Sequence, residues 1–127
     1  MAPTIVTRNG RVVEALGSPG GATIITTVVQ TLVNQIDFGM TLPTAIAAPR
    51  ASQRNAATTQ AEPALITSAA GDALRALGHG FSATDEIGAV TGISFLPGGR
   101  VQAAAEAWRR GGGSAMVERP LNPFVGR

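Results

Sequence analysis

The sequence predicts a mixed α+β fold in which antiparallel hairpins pack with about three helices. Three observations predict it. Asn9-Gly10 separates two runs rich in β-branched residues, the strongest short-range sign of a hairpin. Ile25, Val28, Val29, Leu32, Val33 and Ile36 recur at helical spacing, which predicts an amphipathic helix with that stripe inward. Farther on, Ile87, Ala89, Thr91, Ile93 and Phe95 alternate with Gly88, Val90, Gly92 and Ser94 before Pro97-Gly98-Gly99-Arg100 turns the chain back.

Taken in order, Thr4 to Thr7 and Val12 to Leu16 are the first two strands, joined through Arg8-Asn9-Gly10-Arg11. Gly17-Ser18-Pro19-Gly20-Gly21 then leads into a helix from about Ala22 to Phe38, with Gly39 as a left-handed cap. A short helix starts at Thr41, carries Pro43 in its first turn and stops at Pro49. The polar stretch 50–63 reads as a loop with one strand near Thr58 to Glu62. Ser68 to Leu77 reads as a helix with Ala70, Ala73, Leu74 and Leu77 on one face, stopped by Gly78. Val101 to Trp108 is the last strand, Gly111-Gly112-Gly113 a loop, and residues 119–127 a tail. Four strands could share one sheet, but the helices would cover only one of its faces.

Composition narrows the function. All ten basic residues are arginine, so a pI of about 11.0 accompanies a net charge of only +2. The arginines are scattered, and one Trp with no Tyr offers no platform for stacking bases, so nucleic acid is not an expected partner. The absence of Cys and the single His exclude thiolate or histidine-cluster metal sites. No cofactor is expected. No apolar run is long enough to span a bilayer, and no secretory signal opens the chain.

The chemistry candidates are few. A glycine pair at the mouth of a helix leaves backbone N–H groups uncovered and aimed at an anion, so Gly20 and Gly21 are the leading candidates. The spacing of Gly17 and Gly20 does not fit G-x-G-x-x-G, and no Gly-Lys-Ser/Thr follows. Ser18 lacks the G-x-S-x-G context of a nucleophile and has no His placed to activate it. His79 follows a helix stop and reads as an exposed turn residue. Asp85 and Glu86 are adjacent and would point to opposite faces of a strand. Arg109-Arg110 reads as a solvated pair at a strand end. Nothing completes a triad.

Met1-Ala2-Pro3-Thr4-Ile5-Val6, Gly17-Ser18-Pro19-Gly20-Gly21, Ile24-Ile25-Thr26-Thr27-Val28-Val29-Gln30 and Ala48-Pro49-Arg50 together resemble the gamma-glutamyltranspeptidases. The resemblance runs more weakly through Leu77-Gly78-His79 to Glu106, Arg109 and Arg110, and covers the chain to about residue 118. It implies a partial αββα sandwich of the N-terminal-nucleophile hydrolases, proteins that cleave themselves into a large and a small subunit. It implies transfer of the γ-glutamyl group of glutathione or other γ-glutamyl amides to water, amino acids or peptides. The family's oxyanion-hole glycines fall on Gly20 and Gly21, which also lie against the substrate. Its nucleophilic threonine, and the Ser-Ser pair that stands before Met-x-Pro-Thr, fall ahead of Met1. Where the family usually shows Asp-Pro-Arg, this chain has Glu106-Ala107-Trp108-Arg109.

On this resemblance, residues 1–118 are a C-terminal segment of a small subunit that is inactive alone. Its partners would be a γ-glutamyl substrate such as glutathione, a large subunit and the remainder of the small subunit. The fragment could also pair with itself as a homodimer. A secreted, periplasmic or cell-envelope location is implied. The alternative left open is a non-catalytic binding or structural domain with a small-anion site at Gly20-Gly21; a nucleotide-phosphate binder is a weaker third.

Overall fold

In the computed structural model, which describes residues 3–118, Asn9 and Gly10 turn β1 (Thr4–Arg8) back onto β2 (Arg11–Gly17). Both turn residues have positive φ, 53° and 75°, the geometry that lets a tight hairpin follow the strand twist. β6 (Thr91–Leu96) pairs antiparallel with β2, and β7 (Arg100–Ala105) with β6. The two hairpins thus join into a single sheet of order β1-β2-β6-β7. A smaller sheet holds β3 (Ala51–Ser52), β4 (Thr59–Ala61) and β5 (Phe81–Ala83), with β4 and β5 parallel. The helices are α1 (Ile24–Ile36), α2 (Leu42–Ala47), α3 (Pro63–Ile66) and α4 (Ala69–Ala76). The expected tail, 119–127, lies outside the described residues.

The core forms where α1 and α2 meet one face of the larger sheet: Leu16, Val28, Leu42, Ile46, Val90 and Ala104, flanked by Val6, Ile24 and Leu32. Thr41 caps α2 by accepting from the Thr44 N–H, and Pro43 sits in its first turn as expected. Glu14 is buried beneath α1, where its carboxylate accepts from Gln35 Nε2 at 2.8 Å and from Ser94 Oγ at 3.1 Å.

Several expectations are corrected. The inward face of α1 is Ile24, Thr27, Val28, Thr31 and Leu32, so of the expected stripe only Val28 and Leu32 face the core. Ile25, Val29, Val33 and Ile36 are 74%, 52%, 37% and 65% exposed. The threonines can be buried because each hydroxyl donates back into its own helix, Thr27 to Thr23 O and Thr31 to Thr27 O. On α4 the stripe Ala70, Ala73 and Leu77 faces solvent, and Gly71 makes the close approach. A Cβ there would collide with the backbone carbonyls of Leu65 and Ile66, so only glycine lets α4 fold back on α3.

Residues 87–90 are not strand. Their backbone donors are taken by side chains instead: Ile87 N–H by Glu62, Ala89 N–H by Ser18. The stretch 50–63 carries its expected strand as β4 and, beyond the reading, β3 and the start of α3, and it buries Arg50, Ser52, Thr59 and Glu62.

The face of the larger sheet away from the helices is apolar. Ile5, Ala15, Ile93 and Ala103 form one cross-strand row on it, with Phe95 beside them. Ile5 and Phe95 are 66% and 44% exposed. A face of this kind offers apolar area on which a further layer of protein can pack.

Candidate functional site

β2 ends at Gly17, and four residues later the chain is helical. Gly20 has φ 145° and Gly21 φ 58°. The first value is open only to glycine; the second is left-handed backbone, where other residues are strained. A Cβ on Gly20 would stand 2.6 Å from Thr23 Oγ1, while one on Gly21 would meet nothing within 4 Å. Residues Gly21–Thr23 form a single 3-10 turn before α1, with no side-chain cap and no acidic residue in the first turn. Among the described residues, neither glycine N–H donates to another group. Gly20 is half-buried and Gly21 exposed. The turn therefore presents two adjacent donors at the positive end of a helix dipole, an arrangement suited to an anion or a developing oxyanion.

The turn rests on a second glycine segment. Ser18 is fully buried; its hydroxyl donates to Pro19 O at 2.6 Å and accepts from Ala89 N–H at 3.0 Å. Gly88 fits against it with φ 64°, and a Cβ there would lie 2.7 Å from Ser18 Oγ and 2.8 Å from Thr27 Cγ2 and Oγ1. Ser18 is thus a buried brace with its hydroxyl fully engaged, in keeping with its poor standing as a nucleophile.

Beneath this lies a cluster that sequence reading missed. Arg50, Glu62, Glu106 and Arg109 are all at most 2% exposed and balance to zero charge. Arg109 Nε and Nη2 donate to Glu62 Oε1 and Oε2, each at 2.6 Å, a bidentate pair. Arg109 Nη1 and Arg50 Nη2 donate to the two oxygens of Glu106 at 3.0 and 2.9 Å. The arginines also reach Ile46 O, Ala48 O and Ile87 O, which ties the end of α2 to the segment carrying Gly88. Burial opposes the charge on both arginines. In Arg109 the hydrogen bonds and charge of Glu62, then Glu106, outweigh burial and hold its pKa above the ordinary value. In Arg50 burial and the Arg109 charge prevail, so its pKa lies below.

Arg109 is therefore no solvated residue, as its position at a strand end predicts; it is the centre of the cluster. Trp108, 52% exposed, lies over its guanidinium at 4.2 Å. Arg110 is exposed, and its N–H donates to Glu86 Oε2 at 2.7 Å. Glu106 lies just past β7, which ends three residues short of the expected Trp108. His79 is exposed in the turn after α4, as predicted. Asp85 and Glu86 are exposed on a segment that is not a strand. None of these joins the glycine turn. Among the described residues no helix is long and apolar enough to cross a membrane.

The chain is similar to known proteins in sequence and in fold. A family profile described as gamma-glutamyltranspeptidase matches residues 1–116. The glutathione hydrolase proenzyme of Bacillus subtilis (strain 168) is 34% identical over 113 residues, 87% of this chain and 19% of that protein. The acylase ACY 1 proenzyme of Pseudomonas sp. (strain SE83) is 35% identical over 122 residues, 95% of this chain and 21% of that protein. The structure of gamma-glutamyltranspeptidase from Pseudomonas nitroreducens superimposes with a TM-score of 0.80 at 32% identity, covering 94% of this chain and 62% of that one. The chain thus spans about a fifth of the length of these curated relatives. Profile, sequence and fold agree, and the chain belongs to the gamma-glutamyltranspeptidase family, whose members share the N-terminal-nucleophile hydrolase fold.

Proposed function

We propose that this chain is part of a γ-glutamyl-transferring hydrolase, with the Gly20 and Gly21 N–H groups forming its oxyanion hole. A nucleophile outside these residues attacks the γ-glutamyl amide carbonyl of a substrate such as glutathione. The carbonyl oxygen takes up negative charge between the two N–H donors, and the amine leaves. Water, an amino acid or a peptide then takes the glutamyl group. The observation that carries this reading is the glycine pair itself. Its φ values of 145° and 58° are glycine's, its two N–H groups have neither a capping side chain nor another partner among the described residues, and free donors at a helix start suit charge that develops in the transition state.

The apolar outer face of the larger sheet supports assembly with further protein. The match to only 62% of the Pseudomonas nitroreducens chain points the same way. The remainder of the small subunit and a large subunit are the proposed partners, and the location implied is secreted, periplasmic or cell-envelope.

The test is made in the complete enzyme that carries this segment. Gly21→Val forces the turn out of its left-handed conformation, whereas Gly21→Asn tolerates it. G21V should slow acylation by γ-glutamyl-p-nitroanilide on the order of 10²–10³-fold, the usual loss for one oxyanion donor. G21N should retain most of the rate. Unchanged turnover in G21V would count decisively against the assignment, and γ-glutamyl transfer by the pure 127-residue chain would overturn the placement of the nucleophile.

A second reading has one observation in its favour. The acylase ACY 1 match extends over 95% of the chain, so the same oxyanion hole could serve an acylase acting on a different amide. An enzyme that hydrolyses other acyl amides but releases no nitroaniline from the γ-glutamyl anilide would favour it.

A further inference from the structure

A trans peptide unit is planar, so its C=O and N–H point in opposite directions and turn together. Each donor of the glycine turn can therefore be steered through a carbonyl. The Gly20 N–H shares its plane with Pro19 O, and the Gly21 N–H shares its plane with Gly20 O. A side-chain hydroxyl holds each of these oxygens. Ser18 Oγ donates to Pro19 O at 2.6 Å. Thr23 Oγ1 donates to Gly20 O at 3.0 Å, alongside the Thr23 N–H at 3.2 Å.

The turn needs such holds. The Gly20–Gly21 unit lies between two residues without a Cβ, so a half-turn of its plane meets little steric resistance. That flip would place Gly20 O where the Gly21 N–H stands, and an oxygen there repels a developing oxyanion. The two donors on Gly20 O oppose the flip. The Pro19–Gly20 unit turns about the ψ of Pro19 and the φ of Gly20. The proline ring fixes neither angle, and the short bond from Ser18 restrains both.

Both hydroxyls are themselves held in place. Ser18 is fully buried and accepts from Ala89 N–H at 3.0 Å, on a segment that Glu62 Oε1 grips through Ile87 N–H. Thr23 is half-buried, and its carbonyl accepts from Thr26 Oγ1 and Thr27 Oγ1 at 3.0 and 2.8 Å. A Cβ on Gly20 would stand only 2.6 Å from Thr23 Oγ1, so the hydroxyl sits directly against the unit it restrains.

We propose that Ser18 and Thr23 are positioning residues for the oxyanion hole, Ser18 aiming the Gly20 N–H and Thr23 the Gly21 N–H. The proposal rests on the γ-glutamyl-transfer reading above. Each hydroxyl acts through the backbone carbonyl it holds. What it supplies is orientation that is already in place when charge develops on the substrate oxygen. That oxygen carries little charge before attack. Loss of a hydroxyl should therefore slow acylation and leave ground-state binding of the donor unchanged. A hydroxyl that only stabilises the fold would not divide its effect in this way.

The experiment measures single-turnover acylation of the complete enzyme by γ-glutamyl-p-nitroanilide, giving a maximal rate constant and a half-saturating concentration. Thr23→Val removes the hydroxyl and keeps the side chain's shape, while Thr23→Ser keeps the hydroxyl. T23V should lower the rate constant roughly two- to tenfold, the factor that corresponds to one neutral hydrogen bond. Its half-saturating concentration should stay at the wild-type value, and T23S should restore the rate. Ser18→Ala should show the same split, with a melting curve to record any loss of fold; T23V carries the test if S18A does not fold. The proposal is overturned if T23V acylates within 1.5-fold of wild type while Gly21→Val is slowed on the order of 10²-fold. It is equally overturned if T23S shares the loss, or if the loss appears as weaker saturation. Those results leave the γ-glutamyl reading standing. A wild-type enzyme that releases no nitroaniline, or a G21V variant that reacts at the wild-type rate, overturns both.

Discussion

Replacing Arg109 with methionine is the sharpest test of how the site is held. Arg109 is fully buried and donates five hydrogen bonds: two to Glu62, one to Glu106, and one each to Ile46 O and Ala48 O. Methionine fills much of the volume but donates nothing. Glu62 would keep only the backbone donors of Arg50 and Ile87, each at 2.9 Å, and its charge would lose its countercharge. Removing one partner from a buried ion pair costs about 3–5 kcal/mol, because the other charge stays buried and uncompensated. Against a domain stability of about 5–15 kcal/mol, that is a large fraction. Adding Glu62→Gln removes the stranded charge, so the double variant should recover on the order of 1–3 kcal/mol relative to the sum of the single losses. Urea unfolding of the purified enzyme measures the totals, and amide hydrogen exchange at Ile87 measures the local effect. The Ile87 amide should exchange much faster in R109M, since its acceptor is freed to move. A loss in R109M smaller than about 1 kcal/mol, with Ile87 still protected, would refute the view that this cluster anchors the segment under the glycine turn.

Two further outcomes are expected. Gly88→Ala puts a methyl group 2.7 Å from Ser18 Oγ and 2.8 Å from Thr27, which should cost about 1–3 kcal/mol by overpacking. It should also lower kcat for γ-glutamyl transfer more than it raises the donor KM, because the displaced brace lies behind the N–H donors; steady-state kinetics on the anilide checks it, and a wild-type kcat would be the contrary result. Phe95→Lys together with Ile5→Lys places charge on the apolar outer sheet face. It should convert self-associating isolated chain to monomer in analytical ultracentrifugation, and in the complete enzyme it should impair assembly; unaltered behaviour in both would remove that face from any interface.

Much of the fold was legible because its signals are local. Asn9-Gly10, Thr41 with Pro43, and Gly39 act through their own dihedrals and nearest hydrogen bonds, and each stands where the sequence places it. The glycine pair was legible for the same reason: a φ of 145° at Gly20 is a demand on one residue. The inward face of α1 was not, because Thr27 and Thr31 count as polar until their hydroxyls are seen bonded to the helix itself. The aliphatic stripe won the sequence reading, although four of its six residues, Ile25, Val29, Val33 and Ile36, face away from this chain's core.

The ionic cluster was illegible for a different reason. Arg109 meets its partners at separations of 47 residues to Glu62, 61 to Ala48 O and 63 to Ile46 O; Glu106 lies only three residues away, and that pairing alone would suit a surface turn. Nothing in the neighbouring sequence separates Arg109, which is buried, from Arg110, which is exposed. What distinguishes them is backbone geometry: Arg110 takes φ 53°, so consecutive side chains leave the chain in different directions. The same long-range design explains why the site splits as it does. The two glycine donors need only a turn, which one pentapeptide supplies, whereas the frame beneath them needs charges from α2's end, β4's end and β7's end at once. A substitution at Gly21, whose Cβ would meet nothing within 4 Å, should therefore act on rate more than on stability, and one in the cluster should act on stability first and on rate only through the 87–89 segment.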